Sequence, residues 1–99
     1  MTDESAVEVH DDPARRRYEA RLDGTLAAFV TYVLAPGTIT LVHTETLPAF
    51  AGRGVASHLA QGALDDARRR GLRVTPLCPF IASYIERHPQ YADLVARPP

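Results

Sequence analysis

The chain has 99 residues, 45% hydrophobic and 23% charged, with a formal net charge of −1. That length suits one domain, residues 1–99, with a single two-layer core, and the composition excludes a disordered chain. The charge gives no reason to expect nucleic acid as partner, and a lone cysteine, Cys78, excludes an internal disulfide and any multi-cysteine metal site.

The chain opens on the polar stretch Met1-Thr2-Asp3-Glu4-Ser5, which has no apolar core of a signal peptide. No apolar run approaches the roughly 20 residues of a membrane span, so the expectation is a soluble, cytoplasmic protein with no membrane partner. Val7 and Val9 alternate with Glu8 and His10 as a short strand that stops at Asp11-Asp12-Pro13. The Arg15-Arg16-Arg17 run is too small a footprint for nucleic acid and reads as a solvated edge. Residues 17–22 alternate again, with Tyr18, Ala20 and Leu22 on one face, and Asp23-Gly24 is a two-residue hairpin signal. Residues 25–34 are rich in β-branched and aromatic side chains and end at the turn dipeptide Pro36-Gly37. Residues 38–46 form a fourth strand, which makes the front half an antiparallel meander.

The period then changes. After Gly52-Arg53-Gly54, Val55, Leu59, Ala63 and Ala67, flanked by Ala56, Ala60 and Leu64, form the apolar stripe of a long helix. Asp65–Arg69 and Asp66–Arg70 are spaced for ion pairs, and Gly71 suits the residue after the helix. Residues 72–77 read as a fifth strand, parallel to an earlier one because a helical crossover leads to it. Pro79 opens a second helix through Phe80, Ile81, Tyr84 and Ile85 to His88-Pro89. Residues 91–95 add a turn before Pro98-Pro99. The fold class is α+β: a mixed, mostly antiparallel sheet with a long helix between strands four and five and a short C-terminal helix. The four histidines, His10, His43, His58 and His88, show no ligand spacing, so no metal is expected.

Chemistry concentrates between strand four and the long helix. Glycine tolerates positive φ and admits a ligand close to the backbone, and a helix's first turn carries unpartnered amides at the positive end of its dipole. Residues Gly52, Arg53, Gly54, Val55 and Ala56 thus form either an anion cradle for a phosphate or only a tight turn. The lysine of a P-loop and the third glycine of a dinucleotide fingerprint are both missing.

The stretch Pro48-Ala49-Phe50-Ala51-Gly52-Arg53-Gly54-Val55-Ala56-Ser57-His58-Leu59 resembles the acetyl-CoA motif of GNAT acetyltransferases, [Q/R]xxGxG/A. Gly54 and Ala56 match its last two defined positions, while Ala51 stands where the superfamily has Gln or Arg. With the later Pro76-Leu77-Cys78-Pro79-Phe80 and His88-Pro89-Gln90-Tyr91, the chain is similar to a compact GNAT subfamily carrying HTE, GxGxA, PLCPF and HPxY signatures. The likeness implies acetyl-CoA (coenzyme A) as cofactor, its pyrophosphate on residues 51–56, and a sheet splayed between strands four and five. Pantetheine would then pair with strand four near Leu47 and its neighbours. It also implies acetyl transfer to an amine acceptor, small molecule or protein, by direct transfer in a ternary complex, with the chain a monomer or homodimer.

Glu45, at the end of strand four, is then either the general base or a solvated carboxylate, and His43 on the same face is either a base or structural. Cys78, across the splay and beside the cofactor, is a transient acetyl carrier or a packing residue. Tyr84 sits where GNAT enzymes place a proton donor to the leaving thiolate, although the usual N…FY…GF pattern is absent. Arg87, with His88 and Tyr91, lines the coenzyme cleft or caps its helix. A CoA-binding module without catalysis and an interaction domain without cofactor are the alternatives.

Overall fold

The computed structural model describes residues 7–96. The polar opening, Met1 to Ser5, and the closing Pro98-Pro99 lie outside the described residues. Five strands form one sheet in the order β1-β2-β3-β4-β5: β1 Val7–Asp12, β2 Arg17–Leu22, β3 Thr25–Ala35, β4 Thr38–Thr46 and β5 Arg73–Pro76. β1 to β4 pair antiparallel and β5 joins β4 in parallel. The expected α+β class and meander are what the chain adopts.

Local chemistry explains the turns. At Asp23 and Gly24 φ is 52° and 82°, the pair of positive values that a two-residue hairpin matched to strand twist requires. Helix α1, Val55–Arg69, ends in a Schellman arrangement: the Gly71 amide donates to Arg68 O at 3.1 Å and the Leu72 amide to Ala67 O at 2.9 Å.

α1 lies across the sheet, and α2, Pro79–Arg87, lies beside it against β4 and β5. The core between the layers includes Tyr18, Ala20, Val30, Tyr32, Ile39 and Leu41 from the sheet. Val55, Leu59, Ala60, Ala63, Leu64 and Ala67 face them from α1, as the sequence periodicity requires. Polar side chains bind the layers too. Tyr18 donates from its hydroxyl to Asp66 of α1 at 2.5 Å, and Tyr32 donates to Asp11 at 2.6 Å. Arg70 reaches both carboxylates, at 3.2 Å from Asp66 and 3.4 Å from Asp11.

One expected ion pair does not form. Asp65 accepts from the Tyr91 hydroxyl at 2.7 Å, and Arg69 turns to Asp66 at 2.9 Å. Tyr91 belongs to a 3-10 segment, Pro89–Leu94, which Arg68 also holds through Asp93 at 2.9 Å. A close tertiary contact won over helical spacing. The chain then forms a parallel bridge from Val95 to Val74, extending the sheet beyond β5.

Candidate functional site

β4 and β5 pair over four residues only, Thr38↔Arg73 to Leu41↔Pro76. The Cys78 amide donates to Leu41 O at 2.9 Å, and from there β4 runs on through residues 42–46 with only β3 at its side. The sheet therefore opens between β4 and β5, as the likeness to GNAT acetyltransferases implied. A bulge sits at the parting point: Thr31 pairs with His43 and Tyr32 with Leu41, which leaves Val42 as the extra residue. Leu41 points into the core and Thr44 points toward Cys78, so Val42 and His43 share the face turned away from the helices.

Backbone direction alternates along a strand. The Leu47 amide donates inward to Ala27 O at 2.8 Å, so the main-chain groups of Thr46 and Thr44 point to the open edge. Within the stretch expected around Leu47, the Leu47 amide itself is used by Ala27 and its neighbours face the edge. The sequence did carry a signal for Thr44, since it stands between His43 and Glu45, but only the topology shows that it faces the opening.

Above this edge stands the start of α1. A 3-10 turn, Pro48–Phe50, uses the Ala51 amide on Pro48 O at 3.3 Å, which removes Ala51 from the expected cradle. Gly52 and Gly54 have φ of 80° and 76°, and a Cβ built at either would meet nothing within 4 Å. Their freedom is needed for the backbone path, and among the described residues none crowds the Cβ position of either. α1 has no side-chain cap at Gly54 and no acidic residue in its first turn. Among the described residues, no protein acceptor engages the amides of Gly52, Gly54, Val55, Ala56 or Ser57. Arg53 lies with its guanidinium 5.9 Å from the Phe50 ring. Amides without a described acceptor at the positive end of a helix dipole are chemistry suited to an anion such as a diphosphate.

Cys78 is the N-cap of α2 and is buried. Its sulfur lies 3.2 Å from Thr44 Oγ1. Burial by itself would raise the thiol pKa. Donors from the Thr44 hydroxyl and from the amides of Ile81, Phe80 and Thr44 outweigh it and hold the thiol below its ordinary value.

On the opposite face, His43 Nε2 lies 3.4 Å from Glu45 Oε1, with both side chains exposed. The structure thus joins His43 with Glu45 on one face of β4 and Thr44 with Cys78 on the other. Tyr84 belongs to a separate cluster. Its ring stacks on His88 at 3.9 Å and lies 6.2 Å from Tyr91, and burial, then the charge of Asp65, raises its pKa. Arg87 is exposed in the last turn of α2, its Nε donating to Ser83 O at 3.4 Å. A concavity of about 400 Å³ lined by Pro13, Arg16, Tyr32, Val33 and Leu34 lies at the other end of the sheet and takes no part in this arrangement. Among the described residues, no group of three or more metal-ligating side chains is present, and no helix is long and apolar enough to cross a membrane.

A mostly antiparallel sheet opened beside a helix with a glycine-led first turn is the architecture of the GCN5-related N-acetyltransferase fold. The sequence pattern of the GCN5-related N-acetyl-transferase family matches residues 17–94, and the chain belongs to that family. Members of this family generally use acetyl-CoA. Among relatives, Protein NATD1 of Xenopus tropicalis is 34% identical over 97 residues, covering 94% of this chain and 89% of its own. Protein NATD1 of Homo sapiens is 33% identical over 91 residues, covering 88% and 80%. The solution structure of a GCN5-like protein from Staphylococcus aureus superposes with a TM-score of 0.69 at 21% identity, over 96% of this chain and 93% of that one. The ribosomal-protein-alanine N-acetyltransferase of Brucella melitensis biovar Abortus 2308 superposes with a TM-score of 0.53 at 21% identity, over 83% and 62%. At that identity these two likenesses speak for the fold alone.

Proposed function

We propose that this chain binds acetyl-CoA and transfers its acetyl group to an amine. The observation that carries the reading is the set of amides at Gly52, Gly54, Val55 and Ala56 that no described acceptor engages, beside a β4 edge that β5 leaves unpaired. The amides of Gly52, Gly54, Val55 and Ala56 would hold the pyrophosphate, with Arg53 beside them, and the open-edge groups of Thr46 with the carbonyl of Thr44 would pair with the pantetheine arm, the Thr44 amide being held by the Cys78 sulfur. Acetyl-CoA supplies a thioester whose carbonyl carbon is open to attack by an amine.

Glu45 takes the proton released as the amine attacks, directly or through water, and His43 beside it shares that proton. On the other face, the Cys78 thiol and Thr44 hydroxyl lie where a departing thiolate needs a proton, and the lowered pKa of Cys78 suits it to give one. Tyr84, in the neighbouring cluster, steadies α2 against α1 and is the alternative donor. Arg87 serves the outer part of the coenzyme.

A second reading is favoured by the four donors around Cys78. There its sulfur attacks the thioester, the thiol proton leaves on the coenzyme sulfur, and the amine then takes the acetyl group from Cys78. Thiol release measured with acetyl-CoA and a panel of amines tests both. Direct transfer predicts that Glu45→Gln lowers turnover by about a hundredfold and that Cys78→Ser, which replaces the proton donor, slows transfer while the wild type carries no acetyl adduct on Cys78. An acetyl mass adduct on Cys78, with loss of transfer in Cys78→Ser, selects the second reading. Acetyl-CoA binding without transfer to any amine rejects both and leaves a CoA-binding module.

A further inference from the structure

We infer that the acceptor is a small primary amine carried on an apolar or aromatic body, and not a polyamine; this rests on the acetyl-transfer reading above. Leu41 and Pro76 are the last pair between β4 and β5, so the next residues, Val42 and Leu77, flank the mouth of the opening. They are 36% and 64% exposed, and among the described residues only Val33 and Leu34, at the far end of β3, are other large apolar side chains so open to solvent. The bulge sets Val42 on the same face as His43 and Glu45, and Glu45 stands opposite Phe29 across the ladder. An amine held for attack beside Glu45 and His43 thus has an apolar rim for the rest of its body.

Charge on the same face argues against a polycation. A polyamine needs a carboxylate for each ammonium, set at the spacing of the chain. Here Glu19 is clasped by Arg17 at 2.8 Å and Arg21 at 2.9 Å, Asp12 by Arg15 at 3.0 Å, and Glu8 lies 3.1 Å from His10. Arg17 also covers Phe29, its guanidinium 4.5 Å from the ring centre. Glu45, 3.4 Å from the His43 ring, is the one carboxylate described on β4. The face therefore offers one anchor for an ammonium, an apolar border on one side and two guanidiniums on the other. A single ammonium on an apolar body matches it, whereas a second ammonium meets Arg17 and Arg21.

The test is an amide-resolved NMR titration of the intact chain with 2-phenylethylamine and with spermidine, each with and without coenzyme A. The expected result is saturable shifts at Val42, His43 and Leu77 with 2-phenylethylamine, and binding of spermidine weaker by at least about tenfold. Leu77→Ser, a substitution at an exposed position, should weaken 2-phenylethylamine by about tenfold and leave spermidine unchanged. Spermidine binding as tightly as 2-phenylethylamine, shifts confined to other parts of the molecule, or an unaltered affinity in Leu77→Ser would overturn the inference. Acetyl-CoA is titrated into the same samples. If it fails to bind, the acetyl-transfer reading falls, while the amine titration still decides whether this rim selects apolar monoamines.

Discussion

Burial and hydrogen bonding act on Cys78 with opposite sign, and hydrogen bonding wins. The helix N-cap position matters here, because the amides of Phe80 and Ile81 are among those a helix leaves unpartnered. Thr44 supplies two of the four donors, so Thr44→Val should raise the thiol pKa, read as a shift in the pH midpoint of the Cys78 Cβ resonance. An unchanged midpoint would mean that the Thr44 hydroxyl does not stabilise the thiolate. Asp66 presents the same contest, burial raising its pKa and bonds from Tyr18, Arg70 and Arg69 lowering it further. The unfolded chain takes up this proton before the folded one does. Its contribution is therefore complete above the ordinary carboxylate value of 3.8 and is lost as pH falls through the lower folded value. Tyr18→Phe should cost about 2 kcal/mol at neutral pH in a denaturant titration, the worth of a buried hydrogen bond to a charged group. Little change would show that the bond is matched by solvent. The sequence pattern puts Tyr18 and Tyr32 on the packed face, and both are buried. Nothing in it tells that their hydroxyls reach Asp66 and Asp11, since those partners are 48 and 21 residues away.

At the scale of elements, α1 approaches β1 through Gly62. A Cβ built there would stand 2.7 Å from Val9 Cβ and 2.7 Å from its Cγ1. Alanine at an interior helix glycine ordinarily adds about 1 kcal/mol of stability. Here the contact reverses the sign, and Gly62→Ala should destabilise the chain by about 1–3 kcal/mol in the same titration. A stabilised variant would show that β1 can move away at little cost. The role of Gly62 is invisible in sequence, because it exists only once β1 and α1 are packed. The strands and helices were legible for the opposite reason. Alternation in residues 17–22, the Asp23-Gly24 turn, the α1 stripe and Gly71 are local signals that the packed structure agrees with. The β4 bulge was not, since Val42 differs from its neighbours in nothing but its pairing. The Asp65–Arg69 spacing misled because Tyr91, brought close by the C-terminal segment, makes the better partner for Asp65.

Across the whole molecule, one end of the sheet collects the parting of β4 and β5, the first turn of α1 and the N-cap of α2. Gly52, Gly54 and Cys78 stood out in the sequence as residue types with special chemistry. The edge of β4 beyond Leu41, which β5 leaves unpaired, did not, because an unpaired edge is a property of topology. Calorimetric titration with acetyl-CoA, on the wild type and on Gly54→Val, meets the central claim head on. Valine at a position with φ of 76° strains the backbone and fills the space in front of the amides. The account predicts one coenzyme bound per chain with release of heat, and an affinity at least about tenfold lower in Gly54→Val. No heat with the wild type, or equal affinity in the two proteins, would contradict it.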